Sequence, residues 1–201
     1  LIGVWLTIAA AMLLWIGLGA YRARRLLSTA RGVPDWVQAE LARLVGTSRP
    51  PGLWASPRVT TAVALGAAAP QIILPTGLEK SHVAAVRAAL AHEWAHIRHG
   101  DLWLLALERL LVPLLAVHPL FWWLRRSVRL DQELLADAAA AGSEPAEYAE
   151  ALLQWAKDAK PARHGLAALA LWEHPSTLSR RVAMLLDPRR PPKERREDRQ
   201  G

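Results

Sequence analysis

The chain has 201 residues, 52% of them hydrophobic, with a formal net charge of +7 and no cysteine. That length suits one compact domain plus an appendage and excludes two large domains. The lack of cysteine excludes disulfides and thiolate metal sites, and it suits a reducing compartment.

The hydrophobic excess is local. Leu1 to Ala20 holds no charged residue. Twenty residues rising about 1.5 Å each span about 30 Å, the thickness of a bilayer's hydrocarbon core. Trp5 and Trp15 lie inside this run, and Tyr21 closes it at the expected interface. A cleaved signal peptide is the competing reading, since "GLGA" loosely resembles a cleavage site. The length of the run and its lack of a basic leader favour a transmembrane helix over 1–21. The chain opens on Leu rather than Met, so upstream sequence is expected. Arg22, Arg24, Arg25 and Arg31 follow the run, and by the positive-inside rule they place the rest of the chain on the cytoplasmic side of the plasma (inner) membrane. The basic charge beside a membrane segment fits anionic lipid headgroups better than DNA or RNA, so no nucleic-acid partner is expected.

Residues 22–45 read as an amphipathic connector, broken by "GTSRPPG" at 46–52. Strand character follows in Leu53 to Ser56, "RVTTAVALG" and "PQIILP", punctuated by Pro57, Gly66, Pro70 and Pro75. These predict a small sheet of about three short strands. Ser81 can cap a helix running to about His99, with Gly100 at its C′ position. Asp101 opens a very apolar segment. Glu144 to Lys160 and Leu178 to Leu186 read as two further helices, and the Pro- and charge-rich tail 188–201 as disordered.

"ALAHEWAHIRHGD" (89–101) carries the chemistry. His92 and His96 are four apart on a helix, so they point the same way one turn apart. Two such imidazoles can share one zinc ion (Zn2+) with Zn–N distances of about 2.1 Å. Glu93 is then placed to take a proton from a water that the ion acidifies as that water attacks a carbonyl. This HExxH pattern is that of zinc peptidases. His99 is not the third ligand, because it lies about 10 Å along the helix axis from His92. The better candidate is Glu133 in "RLDQELLADAAA", four residues before Asp137 on an otherwise apolar helix. One carboxylate can bind the metal, and the other can hold a ligating histidine's free ring nitrogen.

If Leu102 to Leu124 crossed a bilayer as one helix, Glu133 would lie about 30 Å from His96. The segment must therefore double back, and Pro119 after His118 is the natural turning point. Each arm is too short to span the core, so the hairpin over about 102–130 is either half-embedded or packed on other helices. Glu108 and Arg109 fit a partly sheltered hairpin, because charge is costly in fully lipid-exposed helix. Trp103, Trp122 and Trp123 are expected at the interface, and Pro113 is expected to kink the first arm.

With these pieces placed, residues 1–187 resemble the BlaR/MecR-type membrane zinc metallopeptidases. The resemblance rests on "TTAVALGAAAPQIILP", "ALAHEWAHIRHGD", "HPLFWWLRR", "RLDQELLAD" and, more loosely shared with HtpX-type membrane proteases, "HPSTLSRRVAMLL". It implies an α+β, zincin-like fold, mostly α with a small β-sheet. The zinc ligands would be His92, His96 and Glu133, the catalytic base Glu93, and the supporting carboxylates Asp137 and Asp101. It also draws His174 and Arg181 toward the site as oxyanion stabilisers. His82, His118 and His164 match nothing catalytic. No Ser-x-x-Lys occurs, so the penicillin-sensing role of some members has no support in this stretch.

The expectation is a membrane-anchored zinc endopeptidase over 22–187, cleaving a protein or peptide substrate, itself or a repressor, in regulated signalling. The substrate would pair with a sheet edge around Ala67 to Leu74. The alternatives are an HtpX-type quality-control protease, which carries two full spans between His96 and Glu133, and a non-catalytic scaffold or metal sensor. A membrane-tethered nucleic-acid binder would instead show salt-dependent DNA affinity that survives loss of the histidines.

Overall fold

The computed structural model describes residues 2–46, 50–78, 83–142, 144–158 and 175–187. Ser81, His82, His164, His174 and the tail from Pro188 lie outside the described residues. The fold is mostly helical with one small sheet.

Helix α1 (Ile2–Ser28) is 27 residues long, about 40 Å at the helical rise. Among the described residues it alone is long and apolar enough to cross a membrane, and its apolar window is wholly unburied. The helix does not stop at residue 21 but runs past Arg22, Arg24 and Arg25 and buries Leu26. The side chains of Ser28 and Thr29 then hydrogen-bond the Arg25 carbonyl and end it. The expected connector over 22–45 is therefore three elements: the end of α1, strand β1 (Arg31–Gly32) and helix α2 (Asp35–Val45).

Strands β2 (Gly52–Ser56), β3 (Val63–Leu65) and β4 (Gln71–Pro75) complete a four-stranded mixed sheet in the order β1-β2-β4-β3. β2 runs parallel to β4, with Leu53 opposite Ile72 and Ala55 opposite Leu74. The other two pairings are antiparallel. The sheet has one strand more than expected because β1 has only two residues, Arg and Gly, which carry no alternating signal. "RVTTAVALG" supplies only three strand residues, since residues 57 to 62 turn and bend before Val63.

Helix α3 (Val83–His99) places Val86, Leu90 and Glu93 on one buried face, the i, i+4, i+7 spacing of a helix laid on a core. Val86 and Leu90 join Val37 and Leu41 of α2, Leu53 of β2 and Ile72 of β4 in the main apolar cluster. Gly100 adopts a left-handed conformation, φ +78°, that an L side chain visits at a cost. It ends α3 and starts helix α4 (Asp101–Leu115) with no intervening loop. The chain turns again at His118, which is extended, and Pro119 opens helix α5 (Pro119–Ala141), a position where its missing N–H costs nothing. Trp122 Nε1 donates to the Ala116 carbonyl at 2.8 Å across this turn. The two arms are tied by Arg125 Nε on Glu108 Oε2 at 3.1 Å. Pro113 sits inside α4 without ending it.

α5 returns to pack along α3. Helices α6 (Pro145–Asp158) and α7 (Pro175–Leu185) form a second cluster with it, built on Ala141, Tyr148, Leu152 and Leu185.

The β3–β4 turn depends on Gly66. Its φ is +84°, and a Cβ there would lie 2.7 Å from the Ala69 carbonyl oxygen, which is backbone and cannot swing away. Gly66→Ala is expected to cost about 2 kcal/mol. At this chain length that lowers the midpoint of thermal unfolding in detergent by about 4–8 °C, as circular dichroism would read.

Candidate metal centre

α3 and α5 each present two polar side chains one turn apart on facing surfaces. His92 and His96 turn their Nε2 atoms toward each other at 3.2 Å. Glu133 faces the pair, with Oε2 3.5 Å from His92 Nε2 and Oε1 3.8 Å from His96 Nε2. All three residues bring a ligand atom within 4.8 Å of the others. Four tetrahedral ligands at about 2.1 Å from one ion stand about 3.4 Å from each other, so these separations suit a single small cation held by two nitrogens and an oxygen. Glu133 is 34% exposed, which leaves the cluster open to solvent on that side.

Each imidazole is held from behind through Nδ1. His96 Nδ1 lies 2.7 Å from Asp101 Oδ2, and Gln132 Nε2 donates to Asp101 Oδ1 at 3.0 Å. Gly100 makes this possible, because the direct passage from α3 to α4 brings Asp101 back under His96. His92 Nδ1 lies 3.0 Å from the Tyr148 hydroxyl and 3.2 Å from Asp137 Oδ1, and Tyr148 donates to that same Oδ1 at 2.9 Å. Arg181 closes the network with Nε on Asp137 Oδ2 at 2.6 Å and Nη2 on Oδ1 at 2.7 Å. Its Nη1 reaches Glu133 Oε2 at 3.2 Å. Every one of these contacts leaves Nε2 of both histidines facing the cluster, the arrangement in which a carboxylate fixes the ring for a metal.

The electrostatics agree. Burial alone pulls the His92 imidazolium down, but hydrogen bonds to Asp137 and Glu133 and the charges of Glu133 and Glu93 outweigh it and hold His92 up at about 10. Burial pushes the Glu133 carboxyl up, yet His92, Arg181 and His96 bring it down to about 2. Asp137 is likewise held below its ordinary value, with burial opposed chiefly by Arg181 and His92. The pocket therefore collects negative charge and draws a proton onto an imidazole, which is what a site suited to a divalent cation does when only protons answer it.

Glu93 is different. It lies on the sheet-facing side of α3, 8% exposed. Burial is the main reason its carboxyl is raised above the ordinary value, and the charges of His92 and His96, with a smaller contribution from a backbone hydrogen bond of Ala64 in β3, partly offset this. A carboxylate that holds a proton readily beside a metal site is suited to proton transfer.

Of the residues singled out from the sequence, His92, Glu93, His96, Asp101, Glu133, Asp137 and Arg181 come together here, and His174 lies outside the described residues. His99 does not join the cluster. Among the described residues the edge strands are β1 and β3 (Val63–Leu65), and Gln71 to Leu74 are interior, because β4 is paired on both sides, by β2 and by β3. Tyr148 and Gln132 were not singled out. Gln132 adjoins Glu133 in sequence, a signal that was available. Tyr148 comes from α6, and no spacing pointed from it to His92.

The BlaR1 peptidase M56 family model matches residues 1–185. No curated protein matches the chain. The matched span takes in the candidate membrane helix, the sheet and every residue of the His92–His96–Glu133 cluster. The chain belongs to the BlaR1 M56 peptidase family, a family of metallopeptidases.

Proposed function

We propose that this protein is a membrane-anchored zinc endopeptidase that works at the cytoplasmic face and cleaves a protein substrate, a repressor or the chain itself, in regulated signalling. The observation that carries this reading is the meeting of His92, His96 and Glu133 from two helices beside a buried Glu93. A donor set of two imidazoles and one carboxylate, with a fourth position left for water or substrate, is that of hydrolytic zinc sites. When bound, zinc supplies Lewis acidity that acidifies a water and polarises the scissile carbonyl.

The chain's own residues do the rest. His92, His96 and Glu133 would hold the ion, and Asp101 and Asp137 fix the rings. Glu93 takes the proton from the attacking water and passes it to the departing amine. The Ala64 backbone, hydrogen-bonded to Glu93, ties this base to β3. An extended substrate pairs with the side of β3 that is unpaired among the described residues and so lies across the site. In this reading Arg181, 4% exposed and spent on Asp137 and Glu133, orients carboxylates, and the oxyanion role falls to His174. The HtpX-type alternative is disfavoured by α4, whose 15 residues reach only about 22 Å, short of a bilayer core.

Purified in detergent, the chain is expected to carry one zinc per molecule and to cleave itself or casein. Glu93→Gln should keep its zinc and lose activity by a factor of at least about 10²; equal activity in the two proteins refutes the hydrolytic role. Glu133→Ala should lose most bound zinc, and full retention removes it from the ligand set. Asp101→Asn should weaken zinc about 10- to 100-fold in competition with a chelator.

A further inference from the structure

The α4–α5 hairpin ends in a tip with no charge. From Leu110 to Leu124 the sequence is LLVPLLAVHPLFWWL. Leu110, Val117 and Trp123 are each more than 60% exposed, and Leu114 and Leu120 more than half. A soluble protein rarely leaves so continuous an apolar surface uncovered. The last six residues of α4 and the first six of α5 each rise about 9 Å.

Charge returns at one level on both arms. Arg109 lies six residues before the end of α4, and Arg125 and Arg126 lie six and seven residues into α5. Arg109 and Arg126 are exposed. The one acid at this level, Glu108, is buried and neutralised by Arg125 and Arg129. Arg125 also lies over the Trp122 ring, 5.4 Å from its centroid, which fixes an aromatic at the collar. The hairpin thus has an apolar tip about 9 Å deep below a ring of arginines.

We propose that this tip inserts into one leaflet of an anionic bilayer, with the arginine collar at the headgroups. Half of a hydrocarbon core of about 30 Å is about 15 Å, so a 9 Å tip fits within a single leaflet. The collar matches anionic phosphates, which attract surface arginines. A second copy of the chain is the less suitable cover, because pairing two tips sets arginines against arginines. α1 packs against α4, the first arm of the hairpin, and is itself apolar and unburied. The inference does not depend on the metal or on hydrolysis.

The lack of cysteine gives a clean background for single-site spin labels. Val117→Cys at the tip and Glu150→Cys on the exposed face of α6 are labelled in the full chain and reconstituted into vesicles of phosphatidylethanolamine and phosphatidylglycerol. At 117 the ratio of collisions with oxygen to those with an aqueous nickel chelate should exceed that at 150 several-fold. Adding Arg109→Gln and Arg126→Gln should make the label at 117 shallower. Chelate access at 117 equal to that at 150 overturns the proposal. So does shielding from both quenchers with spin–spin broadening, which assigns the tip to a second copy. An unchanged depth in the double arginine variant removes the collar from it.

Discussion

The structure depends on the return of α5 to α3. His92 and His96 are fixed to each other by one helical turn, and Glu133 and Asp137 by another. Nothing local brings the two pairs together. Two short devices do so: Gly100, which starts α4 immediately after α3, and Pro119, which starts α5 after the three-residue turn that follows α4. α4 rises fourteen residues from Asp101 to Leu115, and α5 comes back fourteen from Pro119 to Glu133. Equal arms are what set the carboxylate level with the imidazoles. An added or deleted residue in either arm would rotate Glu133 by about 100° and move it about 1.5 Å along the axis.

Once the helices meet, the charges they bring must be settled. Glu93, Asp101, Glu133 and Asp137 converge on two imidazoles and one guanidinium. A buried carboxylate without partners costs several kcal/mol, so each has a stated partner: Gln132 and His96 for Asp101, Arg181 and Tyr148 for Asp137, Arg181 and the imidazoles for Glu133. Glu93 has the two imidazoles and the Ala64 backbone beside it, but burial outweighs them and favours its protonated form. Two carboxylate environments in one pocket are thereby pushed in opposite directions, one toward holding charge and one toward accepting a proton, which is how acid–base roles are divided.

Much of this was legible in the sequence because it obeys short-range rules. The four-residue spacings of His92/His96 and Glu133/Asp137, the charge-free first twenty residues and the Pro119 turn each follow from helix geometry or from a bilayer's thickness. What was missed depends on tertiary approach. β1 has no periodic signal and exists because Arg31 and Gly32 fall beside Ala55 and Trp54. The free edge was misplaced because both candidate strands are apolar, and only the crossover from β2 past β3 to β4 decides which is interior. Tyr148 reaches His92 from 56 residues away, on a helix whose face toward the site is set by packing on Ala141 and Leu185. The resemblance draws Arg181 toward the site, and its bidentate hold on Asp137 is a tertiary contact that no spacing predicts.

The same two arms that build the site also set its height. Asp101 lies eight residues above Arg109 on α4, and Glu133 eight residues beyond Arg125 on α5. Both are about 12 Å from the arginine level along their helices. Headgroup regions account for about 5–8 Å on each side of the hydrocarbon core, so on the proposed insertion, with the collar among the phosphates, the His92–His96–Glu133 cluster would stand just clear of them, in water. Water is a reactant in peptide hydrolysis, and a site within the core would lack it. The hairpin, on the proposed insertion, is a spacer: it would hold the cluster close to the bilayer and still in water.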